Sequence, residues 1–282
     1  MTFLLNNILV PVDFTLNTQT AVKKAIELAQ SSSSVIHLLH VKSSKGSPNP
    51  VVKKNNTINI SIENYNCEAI LKLQEWKVFI EEKITEATVI IYFLEGVVHD
   101  KIVEIAKQIK PQLIIIAKKK SRSFFEFSNA VYPNMLAKST ACPVLTIMRE
   151  SLQSKIKIIV IPVRSFIPYR KIELAIVFAK MDRAKIHVVT LQNKMAVWNT
   201  DRNYLIETYL LLKSRLSSTV EYYILNGTNL PKATLNYAEH IGADMILANP
   251  WSETKIAGLT GRHINDLLTS YSKLQIISVE PY

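Results

Sequence analysis

A buried strand that runs straight into a cluster of cations is the first place in this chain where chemistry could occur. In IIIAKKKSRSFFEFSNAVYP, residues 114–133, three isoleucines give way to Lys118, Lys119, Lys120 and Arg122 without a glycine. Ammonium and guanidinium groups in that position can hold a phosphate or carboxylate by charge-assisted hydrogen bonds. The usual phosphate loop works differently, using glycines so that backbone N–H groups come up against the oxygens. Asp13, at the end of the apolar run ILVPVD, adds a carboxylate at the end of an earlier strand.

Acid–base, nucleophilic and metal chemistry find little support. The histidines are His37, His40, His99, His187, His240 and His263, and none has an evident Asp or Ser partner. His37 and His187 occupy equivalent places in two similar strands and His40 lies beside the first, which predicts core or strand-end roles. Cys67 and Cys142 form neither CxxC nor a zinc spacing, so no disulfide framework or structural metal is expected. The GxxxxGK[ST], GxSxG, SGGxDS and HxGH patterns are absent, and the expectation is a protein that is not an enzyme.

The elements that must position these residues are written twice. NNILVPVDFTLNTQTAVKKAIELAQSSSSVIHLLHV (6–41) is echoed by IKIIVIPVRSFIPYRKIELAIVFAKMDRAKIHVVTL (156–191), and EGVVHDKIVEIAKQIKPQLIIIA (95–117) by NGTNLPKATLNYAEHIGADMILA (226–248). With 282 residues, the simplest organisation is two domains, 1–150 and 151–282, joined near MRESLQSK. Short β-branched runs at Ile8–Val12, Val35–Val41, Thr88–Phe93, Leu113–Ile116 and Val144–Ile147 suit strands buried on both faces. Between them, sets such as Leu73, Trp76, Ile80 and Ile84 keep helical spacing. The cadence predicts an α/β fold, two doubly wound parallel five-stranded sheets in tandem. The polar stretch 42–66, broken by Pro48 and Pro50, is expected to be a long loop.

The net charge of +11 divides into +5 for residues 1–150 and +6 for 151–282, which favours solubility over one dedicated nucleic-acid face. No apolar run is long enough to span a bilayer, and the N-terminus lacks a basic start and a cleavage site, so a cytoplasmic protein is expected.

The residues ILVPVDFT, AVKKAIELAQ and VIHLLHV, followed by EGVVHDKIVEIA, LIIIA and CPVLTI, resemble a universal stress protein domain, and the second half resembles a more divergent copy. The resemblance implies a Rossmann-like, adenine nucleotide alpha hydrolase-like fold. In the ATP-binding members an Asp closes the first strand near adenine and metal, backbone after the second strand holds adenine, and G-x2-G-x9-G-[ST] wraps the phosphates. On this chain Asp13 takes the first place, Val41 the second, and Gly96 matches a glycine after the third strand. The glycine positions fall on Ala117, Lys120 and Ala130 and the hydroxyl on Val131. In the second copy the Asp position is Arg164, the first two glycines fall on Asn249 and Ser252, and Gly261 matches the third with Arg262 in the hydroxyl slot.

Both motifs are therefore degenerate, which points to a non-catalytic stress-response protein acting through protein contacts, with ATP binding weakened or lost and no cofactor or metal. The alternative is ATP, ADP or another anion in the first domain, with Lys120 and its neighbours in place of backbone donors. Nucleic-acid binding through the basic loops is the least supported. The last strands, CPVLTI (142–147) and LQIISV (274–279), would be exposed edges unless paired. The resemblance implies an intrachain pseudo-dimer through them, with homodimerisation of the whole chain as an extension.

Overall fold

The computed structural model describes residues 5–30, 34–43, 58–84, 86–118, 131–148, 155–192, 200–257, 262–268 and 272–281. The chain forms two compact units, one built on Leu5–Ile116 and the other on Pro133–Tyr282 together with Ala117 and Lys118. By sequence repeat α4 (Pro133–Thr140) and β5 (Val144–Ile147) close the first copy, but by packing they group with the second unit.

In the first unit β1 (Asn7–Val12), α1 (Leu16–Ala29), β2 (Val35–Ser43), α2 (Ile58–Lys83), β3 (Thr88–Gly96), α3 (Val98–Ile109) and β4 (Leu113–Ala117) alternate. The strands lie in the order β3-β2-β1-β4, all parallel. Ile8, Leu9, Val10, Ile36, Leu38, Leu39, Leu113 and Ile114 are fully buried, as covering by helices on both faces requires. The order in which strands are added reverses between β1 and β4, so their carboxyl ends flank the switch point of the sheet. Helix α2 starts within the stretch expected to be loop: residues 58–66 are helical. Once the apolar spacing of Leu73, Ile80 and Ile84 has docked a helix, extending it costs little, and polar residues are carried along.

The second unit repeats the pattern with β6 (Ile158–Pro162), α5 (Tyr169–Asp182), β7 (Lys185–Leu191), α6 (Thr200–Arg215), β8 (Val220–Leu225), α7 (Leu230–His240), β9 (Met245–Ala248), the short α8 (Ile264–Leu267) and β10 (Gln275–Ser278). Its parallel strands run β10-β9-β6-β7-β8, and β5 adds antiparallel to β10. The edge of β10 is thus covered. The register pairs Ile276 with Thr146 and Ile277 with Leu145. Those four residues exchange with one another when one copy is laid on the other, so the pairing has local two-fold character.

Against this ladder lies a buried polar cluster whose two asparagines follow the same symmetry, although the hydroxyls they bond do not. Asn134 and Asn265 are equivalent in the repeat and touch each other (Nδ2 to Oδ1, 3.4 Å). Ser278 Oγ donates to Asn134 Oδ1 at 2.7 Å, and Asn265 Nδ2 donates to Thr146 Oγ1 at 3.2 Å. Buried amides that find partners in only one alignment disfavour shifted registers.

The repeat extends to backbone strain. Gly96 and Gly227, at equivalent places, have φ of +144° and +150°, and Phe14 and Ser165 share the left-handed region at +59° and +66°. Helix α3 ends on Lys110 at φ +46°, where the second copy has Gly242 at +63°. A side chain in that conformation costs roughly 1 kcal/mol. Lys110→Gly should therefore raise the unfolding free energy by about 1 kcal/mol, and Gly242→Ala should lower it similarly. A Cβ at Gly242 meets nothing within 4 Å, so the effect there is conformational, and urea denaturation of both variants checks it.

Candidate functional site

At the end of β1 the carboxylate of Asp13 is exposed but engaged. Its Oδ1 accepts from the Thr15 N–H at 3.0 Å, Thr15 Oγ1 at 2.6 Å and Thr18 Oγ1 at 3.0 Å, so it organises the start of α1. Beside it Phe14 stacks at 4.5 Å on His40 and meets the edge of Trp76 at 5.7 Å, while His40 lies 5.8 Å from Phe93. His40 Nδ1–H donates to the Val12 carbonyl at 2.8 Å, which fixes the tautomer. Burial holds the His40 pKa below the ordinary value, against the Val12 hydrogen bond and the Asp13 charge. This aromatic wall was not foreseen; the only signal was an aromatic residue at the end of two strands.

Val41 is half-buried and pairs with Leu94 across β2 and β3, and Gly96 pairs with Ser43 at the end of the same ladder. Lys42 Nζ bridges Asn66 Oδ1 and Glu95 Oε1 at 3.0 and 3.1 Å. Asp13, Val41 and Gly96 therefore all lie at the carboxyl ends of the strands of one sheet, as expected of a ligand crevice. Lys120, Ala130 and Gly261 lie outside the described residues. Lys118, the first cation of the basic run, is committed elsewhere: its Nζ donates to Asp266 Oδ1 and to the Asn265 carbonyl, both at 2.8 Å. Burial pushes the Asp266 carboxyl up, but hydrogen bonds from Lys118 and the His263 N–H outweigh it and hold the group below its ordinary pKa.

In the second unit the carboxyl ends of the strands open into a crevice of about 1040 Å³. Arg164, Asp201, Thr228, Asn229, Trp251 and Lys255 are among the residues that line it. Arg262 is exposed and does not line it; its carbonyl accepts from the Ile256 N–H at 2.8 Å. Asp201 Oδ1 accepts from the Ser165 N–H, and the Asn229 side chain caps α7 through the Lys232 N–H.

The turn that brings Trp251 and Ser252 to this crevice also carries a member of an internal ion pair. Lys171 on α5 and Glu253 in the turn after β9 are 1% and 2% exposed, with Lys171 Nζ 2.6 Å from Glu253 Oε2 and 2.5 Å from the Pro162 carbonyl. Glu253 Oε2 also accepts from the backbone N–H of Asn249 at 2.7 Å. Asn249 stands at the first glycine position of the phosphate pattern. The turn reaches back because Trp251 adopts φ +68° and Glu253 N–H donates to the Asn249 carbonyl. The Asn249 side chain is buried with neither polar atom bonded. Burial pushes the Glu253 pKa up and the Lys171 pKa down, each opposed by the other's charge. No sequence pattern pointed to this pair, since its members are 82 residues apart.

His37, His40 and His187 are 5%, 5% and 7% exposed, in keeping with core and strand-end roles. His37 Nδ1 lies 3.1 Å from Tyr92 Oη and His187 Nδ1 2.9 Å from Tyr237 Oη. Cys67 is exposed and Cys142 buried, and neither is in a disulfide. Among the described residues no group of His, Cys, Asp and Glu could hold a metal, and no helix is long and apolar enough to cross a membrane.

Parallel strands reversing at a switch point, with helices on both faces, define the open doubly wound α/β class. Residues 5–147 match the sequence profile of the universal stress protein family, and the chain belongs to that family. A universal stress protein from Archaeoglobus fulgidus superposes with a TM-score of 0.71 over 99% of this chain and 100% of its own, at 17% identity. A putative universal stress protein from Pseudomonas aeruginosa gives 0.56 over 98% and 94%, at 16% identity. At these identities the likeness is one of fold, and it extends over both units. No curated protein matches the sequence.

Two outcomes test this geometry. Lys171→Met leaves the Glu253 carboxylate buried without its counter-ion and should cost about 3–5 kcal/mol in urea denaturation, with a smaller loss in Lys171→Met/Glu253→Gln. For Asp266, a lowered folded pKa means that its stabilisation is present above the unfolded value of about 4 and is lost as pH falls through the folded one. Thermal unfolding of the wild type should therefore weaken more than that of Asp266→Asn as the medium is acidified below about pH 4.

Proposed function

We propose that the chain is a tandem universal stress protein, with domains at 1–150 and 151–282, that acts without catalysis through protein contacts and has weakened or lost ATP binding. The observation that carries the reading is the Glu253 carboxylate on the Asn249 N–H at 2.7 Å. In a glycine-lined loop that donor would face a phosphate oxygen; here a carboxylate of the chain itself, neutralised by Lys171, takes it. Arg164 in place of the first-strand carboxylate removes the metal-side ligand from the second domain. In the first domain Ala117 replaces a glycine, and Asp13 Oδ1 already serves Thr15 and Thr18.

The alternative, an anion held by side chains of the first domain, loses Lys118 to Asp266 and retains only Lys119, Lys120 and Arg122 of the basic run. The antiparallel pairing of β5 with β10 supports an intrachain pseudo-dimer through the last strand of each copy. A homodimer of the whole chain and a cytoplasmic location complete the proposal. The test is nucleotide content of freshly purified protein by mass spectrometry, paired with thermal unfolding in millimolar ATP and magnesium. No bound nucleotide and an unchanged melting temperature are expected. Stoichiometric ATP, or a marked rise in melting temperature, would contradict the reading, since ligand at a hundredfold its Kd adds about 2.7 kcal/mol.

A further inference from the structure

Helix α2 has two stripes where a surface helix needs one. The inner stripe, Ala69, Leu73, Ile80 and Ile84, is 0–7% exposed and docks the helix on its sheet. The outer one consists of Leu71, Gln74, Glu75, Val78, Phe79 and Glu82, at i, i+3, i+4, i+7, i+8 and i+11, and these six residues line a shallow groove. Leu71 is 57% exposed, Val78 54% and Phe79 44%. From Leu71 to Phe79, about 12 Å along the helix, the apolar seam therefore stays in water, which soluble proteins tolerate as isolated residues but seldom as a patch.

The charges around the groove indicate what would cover it. Glu68 and Glu81 are paired with Lys72 and Lys77 on the same helix. Among the described residues Glu75 and Glu82, which stand in the groove, make no ion pair. Two uncompensated carboxylates alternate along the seam with Leu71 and Val78 on a chain whose net charge is +11. The Phe79 ring already has the Lys83 ammonium 5.8 Å from its centre, so this face suits cations. The fold does not require so exposed a stripe: at the equivalent positions α6 carries Asn203, Ile206, Glu207, Leu210, Leu211 and Ser214, and of its three apolar residues only Leu210 is exposed. A second copy is a poor occupant, because antiparallel pairing of two α2 helices centred on Glu75 sets Glu75 against Glu75 and Glu68 against Glu82.

We propose that the outer face of α2 is the docking surface for a basic amphipathic helix of another protein, which lays apolar residues between Leu71, Val78 and Phe79 and places lysines or arginines on Glu75 and Glu82. This rests on the reading that the chain acts through protein contacts, and it names where one such contact is made. Helix-in-groove recognition reads a partner by anchors at i, i+3 or i+4 and i+7, the spacing this seam offers.

The probe is a fluorescent 18-residue peptide with leucines along one helical face and lysines elsewhere, titrated by anisotropy into the full chain. A scrambled peptide of identical composition serves as control. Saturable binding is expected, about tenfold tighter for the ordered peptide than for the scrambled one, and weakened about tenfold by Glu75→Lys/Glu82→Lys and by Leu71→Ser/Val78→Ser. Glu104→Lys/Glu239→Lys, which moves the same charge elsewhere, should leave binding unchanged. All four substituted positions in the groove are exposed, so melting temperatures should stay near the wild-type value and report any misfolding. Absent binding, equal affinity for the scrambled peptide, or equal affinity of the groove variants would overturn the proposal. Measuring bound nucleotide in the same samples keeps the two ideas apart, because failure of the surface with no ATP present leaves the loss of nucleotide binding standing.

Discussion

The second unit is organised around a carboxylate that never reaches water. Glu253 is buried at the end of β9, where a doubly wound sheet ordinarily presents backbone donors to a ligand, and three groups hold it there: the Lys171 ammonium, the Asn249 N–H and the turn through Trp251. Burial of an unpaired carboxylate would be prohibitive, so Lys171 must be equally deep, and its second bond to the Pro162 carbonyl ties α5 to the end of β6. Arg164 and Lys255, by contrast, line the crevice and stay exposed. Structure and altered binding chemistry thus have one cause.

A comparable economy operates beneath β5 and β10. Because the repeat places an asparagine at equivalent positions, 134 and 265, the two amides meet across a local two-fold and each finds a hydroxyl on the other copy's last strand. Superimposed on that symmetry is an asymmetric contact, Lys118 with Asp266. The corresponding positions in the other copy, Pro250 and Met135, are uncharged. Pairing of unlike strands gains an ion pair that pairing of like strands would not, at the modest value expected of a partly exposed bridge.

Much of this was legible in the sequence because it depends on local periodicity. Strand runs at Ile8–Val12, Val35–Val41 and Val144–Ile147 fall within the observed strands, and the helical set Leu73, Ile80 and Ile84 is the buried face of α2. Asp13, Val41 and Gly96 lie at the carboxyl ends of their strands because the alternation of elements puts them there. What escaped needed contacts between distant residues or conformations without a sequence signature. Lys171 and Glu253 meet only once the sheet has formed; Phe14 and Trp251 adopt positive φ without being glycine. The helical start at residue 58 escaped for another reason, since polar residues there follow the helix that later apolar ones anchor.

The central claim is that the donor a phosphate would need has been taken by the protein's own side chain. Hydrogen exchange of the Asn249 amide, followed by nuclear magnetic resonance of the full chain with and without millimolar ATP, tests it most directly. A strongly protected amide whose resonance and exchange rate ignore the nucleotide is the predicted result. Rapid exchange of that amide, or a shift of its resonance on adding ATP, would show the donor to be free and contradict the account.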